Sequence, residues 1–269
     1  MADRAHAPLL AVSSLSVAYG DAGEPAVRGV SFTLPTGGAL GIAGESGAGK
    51  STLALAILGL LPPTARCDGS IRIAGDEILG EPAAVRRLRW RTVAIVFQDA
   101  MSAFNPVVTV GEQIAEAWVV HEGATWRQAM GRAAELLDRV GLEPALVHSY
   151  PHELSGGMRQ RAAIAMAIAL APPLVIVDEP TSALDVLTGN AIAELLRTIR
   201  RQEGTALLLI SHDVSVIART CDSAAIMSDG AIVEQGPAHS VLSAPEHPYT
   251  RRLIDAVPRL PVPLGGPPP

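Results

Sequence analysis

A chain of 269 residues, 48% hydrophobic and 18% charged, is long enough to bury one large core or two modest ones. Its net charge of −6 and isoelectric point near 5.6 lack the basic surplus of a general nucleic-acid binder. Mean hydropathy is +0.29, yet the longest apolar stretch, residues 162–177, is broken by Pro172 and Pro173 and falls short of the roughly 18–20 apolar residues of a spanning helix. The first residues mix charges of both signs and do not read as a signal peptide. A cytosolic chain that meets a membrane only through a partner is the expectation.

In chain order, residues 9–19 alternate loosely and read as a strand, and the turn-rich GDAGEP leads to a second strand over 27–34. A short apolar strand over 39–43 runs into GESGAGKST and then a helix over 53–61, stopped by Pro62 and Pro63. SIRIAG predicts another strand, an arginine-rich segment follows, and a strand spans 93–97. Helical patterns take over from about 100 to 157, notably 111–120 and 126–140, and mark an inserted block. Beyond it come a helix (158–170), a buried strand (174–177), a helix (187–203), a strand (206–210), a helix, and two short strands (224–228 and 231–234). Strands alternating with helices predict an α/β fold with a largely parallel sheet. One domain over 7–257 and a proline-rich, unstructured tail over 258–269 are expected.

The cysteines, Cys67 and Cys221, are too few and too far apart for a disulfide framework or a metal site. Lysine usage says more. Of the 21 basic residues only Lys50 is a lysine, the other 20 being arginine. A compact ammonium differs physically from a planar guanidinium, so this position demands the ammonium.

Lys50 closes Gly44-Glu45-Ser46-Gly47-Ala48-Gly49-Lys50-Ser51, which fits the phosphate-loop pattern GxxxxGK[ST], with Thr52 next, between a strand and a helix. The glycines let the backbone curl so that N–H groups point at phosphate oxygens, and the helix adds its positive end. Lys50 is placed to neutralise the β/γ-phosphates of ATP, and the Ser51 hydroxyl to hold Mg²⁺. The strand over 174–177 ends in Asp178-Glu179, at the edge where α/β sheets bind ligands. Asp178 is the expected Mg²⁺ partner and Glu179 the expected general base for an attacking water.

Leu154-Ser155-Gly156-Gly157-Met158 opens a helix that Ser155 caps. LSGG ahead of a VDEP strand resembles the signature of ABC-type ATPases. The resemblance, which covers roughly residues 9–257, implies a P-loop NTPase (RecA-like) core with a mainly parallel sheet, an N-terminal antiparallel β subdomain and an inserted α-helical subdomain. It implies that Ser155, Gly156 and Gly157 meet the γ-phosphate held by a second cassette, same chain or different, packed head to tail. It also implies that Gln98 touches Mg²⁺ and the attacking water, and that Asp185, in SALD, lies in a loop crossing the dimer interface. His212 would contact the γ-phosphate, and Tyr19 would stack on adenine.

Three stretches resemble the oligopeptide, dipeptide and nickel importer ATPases in particular: FQD through Ser102 to Asn105-Pro106, Tyr150-Pro151-His152-Glu153, and His247-Pro248-Tyr249-Thr250. Many relatives carry a longer C-terminal region with a cysteine cluster. No cysteine follows Cys221 here, and an iron–sulfur centre is not expected. The implied partners are the second ATPase subunit, two transmembrane permease subunits and, indirectly, an extracytoplasmic substrate-binding protein, with the chain peripheral on the cytoplasmic face of the membrane. Residues 100–118 would receive the permease, although Phe104, Val107, Val108 and Val110 serve simple packing equally well. The alternative function is a soluble ABC ATPase of the DNA-repair or translation type. Such proteins usually carry paired cassettes or a long coiled-coil insert, and the sequence has neither.

Overall fold

The computed structural model describes residues 8–20, 24–182 and 184–256. Residues 7 and 257, the ends of the expected domain, the tip of the GDAGEP turn, Ala183 and the proline-rich segment over 258–269 lie outside them. The chain opens with β1 (Leu10–Tyr19), β2 (Val27–Leu34), β3 (Ala39–Ala43), α1 (Lys50–Ile57), β4 (Ala65–Ile73), β5 (Asp76–Glu77), α2 (Pro82–Leu88) and β6 (Val93–Val96). A helical stretch follows, with α3 (Val110–Glu122), α4 (Trp126–Arg139), two short 3-10 turns and α5 (Gly156–Ile168). Then β7 (Leu174–Asp178), α6 (Val186–Glu203), β8 (Ala206–Ser211) and α7 (Val214–Thr220) alternate, and β9 (Ser223–Ser228), β10 (Ala231–Pro237), α8 (Ala238–Ser243) and α9 (Pro248–Asp255) complete the described chain.

The strands form two sheets. One is antiparallel, in the order β2-β1-β4-β5; the other, in the order β10-β9-β3-β8-β7-β6, is parallel except for the β9–β10 hairpin. Every residue of β3, β7 and β8 is buried, as expected where both faces of a parallel sheet are covered. The pleat divides them. Val175, Val177, Leu207 and Leu209 join the core under the helices, whereas Leu174, Ile176, Leu208 and Ile210 join the core shared with the antiparallel sheet. Gly41 admits α7 at close range, since a Cβ there would lie 2.3 Å from Ile217 Cγ2.

The strand at SIRIAG is longer than its apolar pattern suggests. Asp68 and Gly69 are poor strand formers, yet β4 runs from Ala65 because it pairs with β1 along nearly its whole length. The first helix begins at Lys50 rather than 53 and ends at Ile57. Arg89 takes over where it stops, its guanidinium donating to the carbonyls of Leu58 and Gly59.

In the helical stretch, α3 and α4 start on capping boxes, Thr109 with Glu112 and Thr125 with Gln128, each contributing about 1 kcal/mol. Ala129, Ala133, Leu136 and Leu137 bury one face of α4, which is helical spacing. The four apolar residues read either as packing or as a docking surface separate here. Phe104 (5% exposed) and Val110 (0%) belong to the core, whereas Val107 is 77% exposed. Among the described residues, no helix is long and apolar enough to cross a membrane.

Candidate nucleotide site

The loop 44–49 leaves the C-terminal end of β3 and delivers Lys50 as the first residue of α1. Two of its glycines are required sterically. A Cβ on Gly44 would lie 2.2 Å from the Met227 carbonyl oxygen, and one on Gly49, whose φ is +97°, would lie 2.2 Å from that of Ala26. Gly47, also at positive φ (+85°), faces open space, so its role is backbone freedom. Ser46 is exposed and Ala48 buried.

Lys50 is 6% exposed. Its ammonium donates to the carbonyls of Gly44 (2.8 Å) and Glu45 (2.9 Å) and stands 3.8 Å from Glu179 Oε1. Burial lowers its pKa, and the charges of Glu179 and Asp178 act against that shift.

Asp178 ends β7, and Glu179 follows in a left-handed conformation at φ 48°. For a residue with a Cβ such a backbone costs about 1–3 kcal/mol and persists only where its surroundings impose it. Here the Glu179 N–H donates to Ile210 O (2.8 Å), while Ser182 N–H and Oγ–H both donate to Glu179 O. Glu179 Oε1 accepts the backbone N–H of His212 (3.0 Å), and Oε2 lies 2.6 Å from His212 Nδ1. The residue is thus held where the ends of β7, β8 and the phosphate loop meet.

Burial pushes the Asp178 carboxyl up; a hydrogen bond from Ser51 works against this, the Glu179 charge adds to the rise and the Lys50 charge opposes it. Its Oδ1 is buried and has no hydrogen-bond partner. A buried, orphaned carboxylate oxygen beside a serine hydroxyl fits a hard cation. Among the described residues no cluster of three His, Cys, Asp or Glu could hold a metal ion. A cation held by one or two carboxylates together with substrate phosphates needs no such cluster.

Glu45, Ser51, Thr52, Gln98, Asp185 and His212 line one cleft of about 1420 Å³ together with Lys50 and Glu179. Gln98 comes two residues after β6 and is exposed. Asp185 caps α6, accepting from Thr188 N–H (3.0 Å) and Thr188 Oγ1 (2.7 Å). Tyr19, 40% exposed, stands beside the cleft, its hydroxyl donating to Thr52 Oγ1 at 3.3 Å.

Ser155, Gly156 and Gly157 are not among the residues lining the cleft. Ser155 caps α5 by accepting the Met158 N–H (3.3 Å). Gly157 packs against α6, where a Cβ would come 2.6 Å from Thr188 Cγ2. One contact is absent from the motif reading altogether. The Glu45 N–H donates to the Tyr249 hydroxyl at 3.1 Å, and α9 lines the cleft through Leu253 and Ile254. The helix itself has a sequence signal, Pro248 at its first position after a polar residue.

A glycine loop between a parallel strand and a helix, a buried lysine at its end and a carboxylate pair on the neighbouring strand define a P-loop nucleotide-binding protein. Residues 27–182 match the family profile described as ABC transporter, and residues 233–266 match the one described as oligopeptide/dipeptide transporter, C-terminal region. The oligopeptide transport ATP-binding protein OppD of Salmonella typhimurium is 43% identical over 94% of this chain and 77% of its own length. That of Mycobacterium tuberculosis is 44% identical over 97% of this chain. The chain spans only 45% of the mycobacterial protein's length. Among solved structures, a dimeric ATP-binding cassette in a post-hydrolysis state, bound to ADP and Pi, superposes with a TM-score of 0.76 at 28% identity, over 85% of this chain and 98% of the other. The cassette cbiO1 of Clostridium perfringens, part of an ABC transporter complex, gives a TM-score of 0.77 at 28% identity, over 88% and 91%. The chain belongs to the ABC transporter family, in the branch that includes the oligopeptide transport ATP-binding proteins.

Proposed function

We propose that this chain is the ATP-hydrolysing subunit of an ABC importer, coupling ATP binding and hydrolysis in a head-to-tail cassette dimer to the uptake of peptides, with nickel as the other cargo class. The observation that carries the reading is the Lys50–Glu179–His212 cluster beside Asp178, at the sheet edge that the phosphate loop overhangs. The loop N–H groups and Lys50 take the phosphates. Glu179 accepts the proton of the attacking water, His212 contacts the γ-phosphate, Gln98 connects the helical stretch to the reacting groups, and Tyr19 receives the adenine. Ser51, Asp178 and Gln98 would hold Mg²⁺, which when bound neutralises phosphate charge. Ser155, Gly156 and Gly157, standing apart from the chain's own cleft, serve the cleft of a second ATPase subunit. Val186 and Leu187, 64% and 81% exposed at the start of α6, suit burial in that dimer.

The peptide cargo is supported by the names of the relatives and by the C-terminal match. The remaining partners are two permease subunits and, through them, an extracytoplasmic binding protein, with the cassette peripheral on the cytoplasmic face of the membrane. Nucleic acid is not a partner. A groove of about 500 Å³ between β6 and α3, walled by Phe97, Ala103, Glu116 and Val120, is the surface offered to a permease helix. Val120 is 65% exposed, so Val120→Asp is expected to leave the melting temperature within about 1–2 °C of wild type. Co-purification with the membrane subunits and ATP-dependent peptide uptake into vesicles are expected to be lost. A variant that still assembles and transports removes the groove from the coupling path; wild-type vesicles that hydrolyse ATP without moving peptide overturn the cargo assignment.

A further inference from the structure

The stretch after β10 takes no part in the chemistry above, yet it reaches the phosphate loop. We infer that Tyr249 is a positioning residue for that loop: its hydroxyl, carried on α9, fixes the backbone at Glu45 in the shape that receives phosphate. The inference rests on reading the cleft as an ATP site.

The tyrosine is itself held in place by a short relay. Glu234 on β10 accepts the backbone N–H groups of Glu246 (2.9 Å) and His247 (3.0 Å), which fixes the entry to α9. Burial raises the Glu234 pKa, but the hydrogen bonds from the Glu246 and His247 backbone N–H groups act against it, and the carboxyl is held below its ordinary value. His247 Nδ1 then accepts the Tyr249 N–H (3.2 Å) and caps the helix, and Pro248 at the first position has no N–H to satisfy. Tyr249 is 9% exposed, and the Arg252 guanidinium carbon lies 6.0 Å from its ring centroid. The ring is set before the hydroxyl does anything.

At the other end, the stretch Gly44-Glu45 is held from two sides. Lys50 takes both of its carbonyls from within, and Tyr249 takes the Glu45 N–H from outside. When the ammonium turns to bound phosphate, the inner hold weakens and the tyrosine's remains. Gly44 cannot be made rigid by a side chain, because the Met227 carbonyl fills the space a Cβ would need. A contact across 204 residues of sequence supplies the restraint instead.

The test is Tyr249→Phe in the full-length chain, which keeps the ring and removes one oxygen. Without nucleotide, amide hydrogen exchange at Glu45 is expected to accelerate by about tenfold, with that of Leu53, whose N–H donates to Gly49 O, unchanged. The Kd and KM for ATP are expected to rise about three- to tenfold, the loss of one hydrogen bond, with kcat within about twofold. Wild-type exchange at Glu45 together with wild-type KM overturns the inference and leaves the ATP site standing. A wild-type protein that binds no ATP brings down the site reading and this inference with it. If Tyr249→Phe does not fold, Glu234→Gln, which weakens the relay and keeps its shape, is expected to raise KM in the same direction; an unchanged KM there overturns the inference.

Discussion

Replacing Glu179 with glutamine is expected to cut ATP turnover by about 10²–10⁴, the usual cost of losing a general base, with ATP affinity changed by no more than a few-fold. Glutamine is isosteric and keeps an oxygen for the His212 N–H that Glu179 Oε1 now accepts, so the left-handed turn after β7 stays in place. It cannot take a proton from water. Lys50 and Ser51 still line the cleft with Asp178 beside them, and Lys50 loses only a charge partner 3.8 Å away. ATP should therefore bind and persist. Because Ser155, Gly156 and Gly157 lie outside their own chain's cleft, persistent ATP should drive cassettes together, seen by size-exclusion chromatography with light scattering as a dimer in ATP and a monomer in ADP. Turnover at the wild-type rate removes Glu179 from the mechanism. An inactive variant that stays monomeric in ATP identifies a different ATPase chain as the natural mate, and adding that chain should restore the dimer.

The second large effect is expected from Lys50→Arg. In a chain whose other 20 basic residues are arginine, this is the substitution composition alone would favour. The pocket forbids it. Lys50 is 6% exposed, and its ammonium is fitted between two carbonyls at 2.8 and 2.9 Å. A guanidinium is wider, planar and forked, and it cannot occupy a point-charge position without displacing the loop. Losing one charge-assisted contact to phosphate, worth about 1.5–3 kcal/mol, predicts ATP binding weaker by about 10–10²-fold. Isothermal titration would measure it, and a variant that binds ATP as tightly as the wild type would mean the ammonium does not face phosphate.

The parts of this fold and site that can be read from sequence are those whose cause is local. The strands β3, β7 and β8 are apolar almost throughout because both faces of their sheet are covered; Asp178 ends one of them, and the phosphate loop and Glu179 each follow directly on such a strand. What resists reading depends on distant partners. The first half of β4 is polar and is a strand only because β1 pairs with it. Phe104 and Val107 look alike in sequence, and only tertiary packing buries one and exposes the other. The bond from Glu45 to Tyr249 joins a motif to a segment with no motif chemistry of its own. His247 caps α9 with an imidazole nitrogen, outside the serine, threonine, aspartate and asparagine set that marks most helix starts.

The burial of Lys50 has a practical side. With no other lysine in the sequence, the protein's exterior offers no side-chain amine to a conjugating reagent. Dyes, crosslinkers and surface-coupling chemistries aimed at amines would find the backbone terminus and one ammonium deep in the cleft. Such a reagent is a poor handle for attaching this protein to anything. Used as a reporter, the yield at that one position, read by peptide mass spectrometry with and without Mg-ATP, measures the fraction of clefts that are filled.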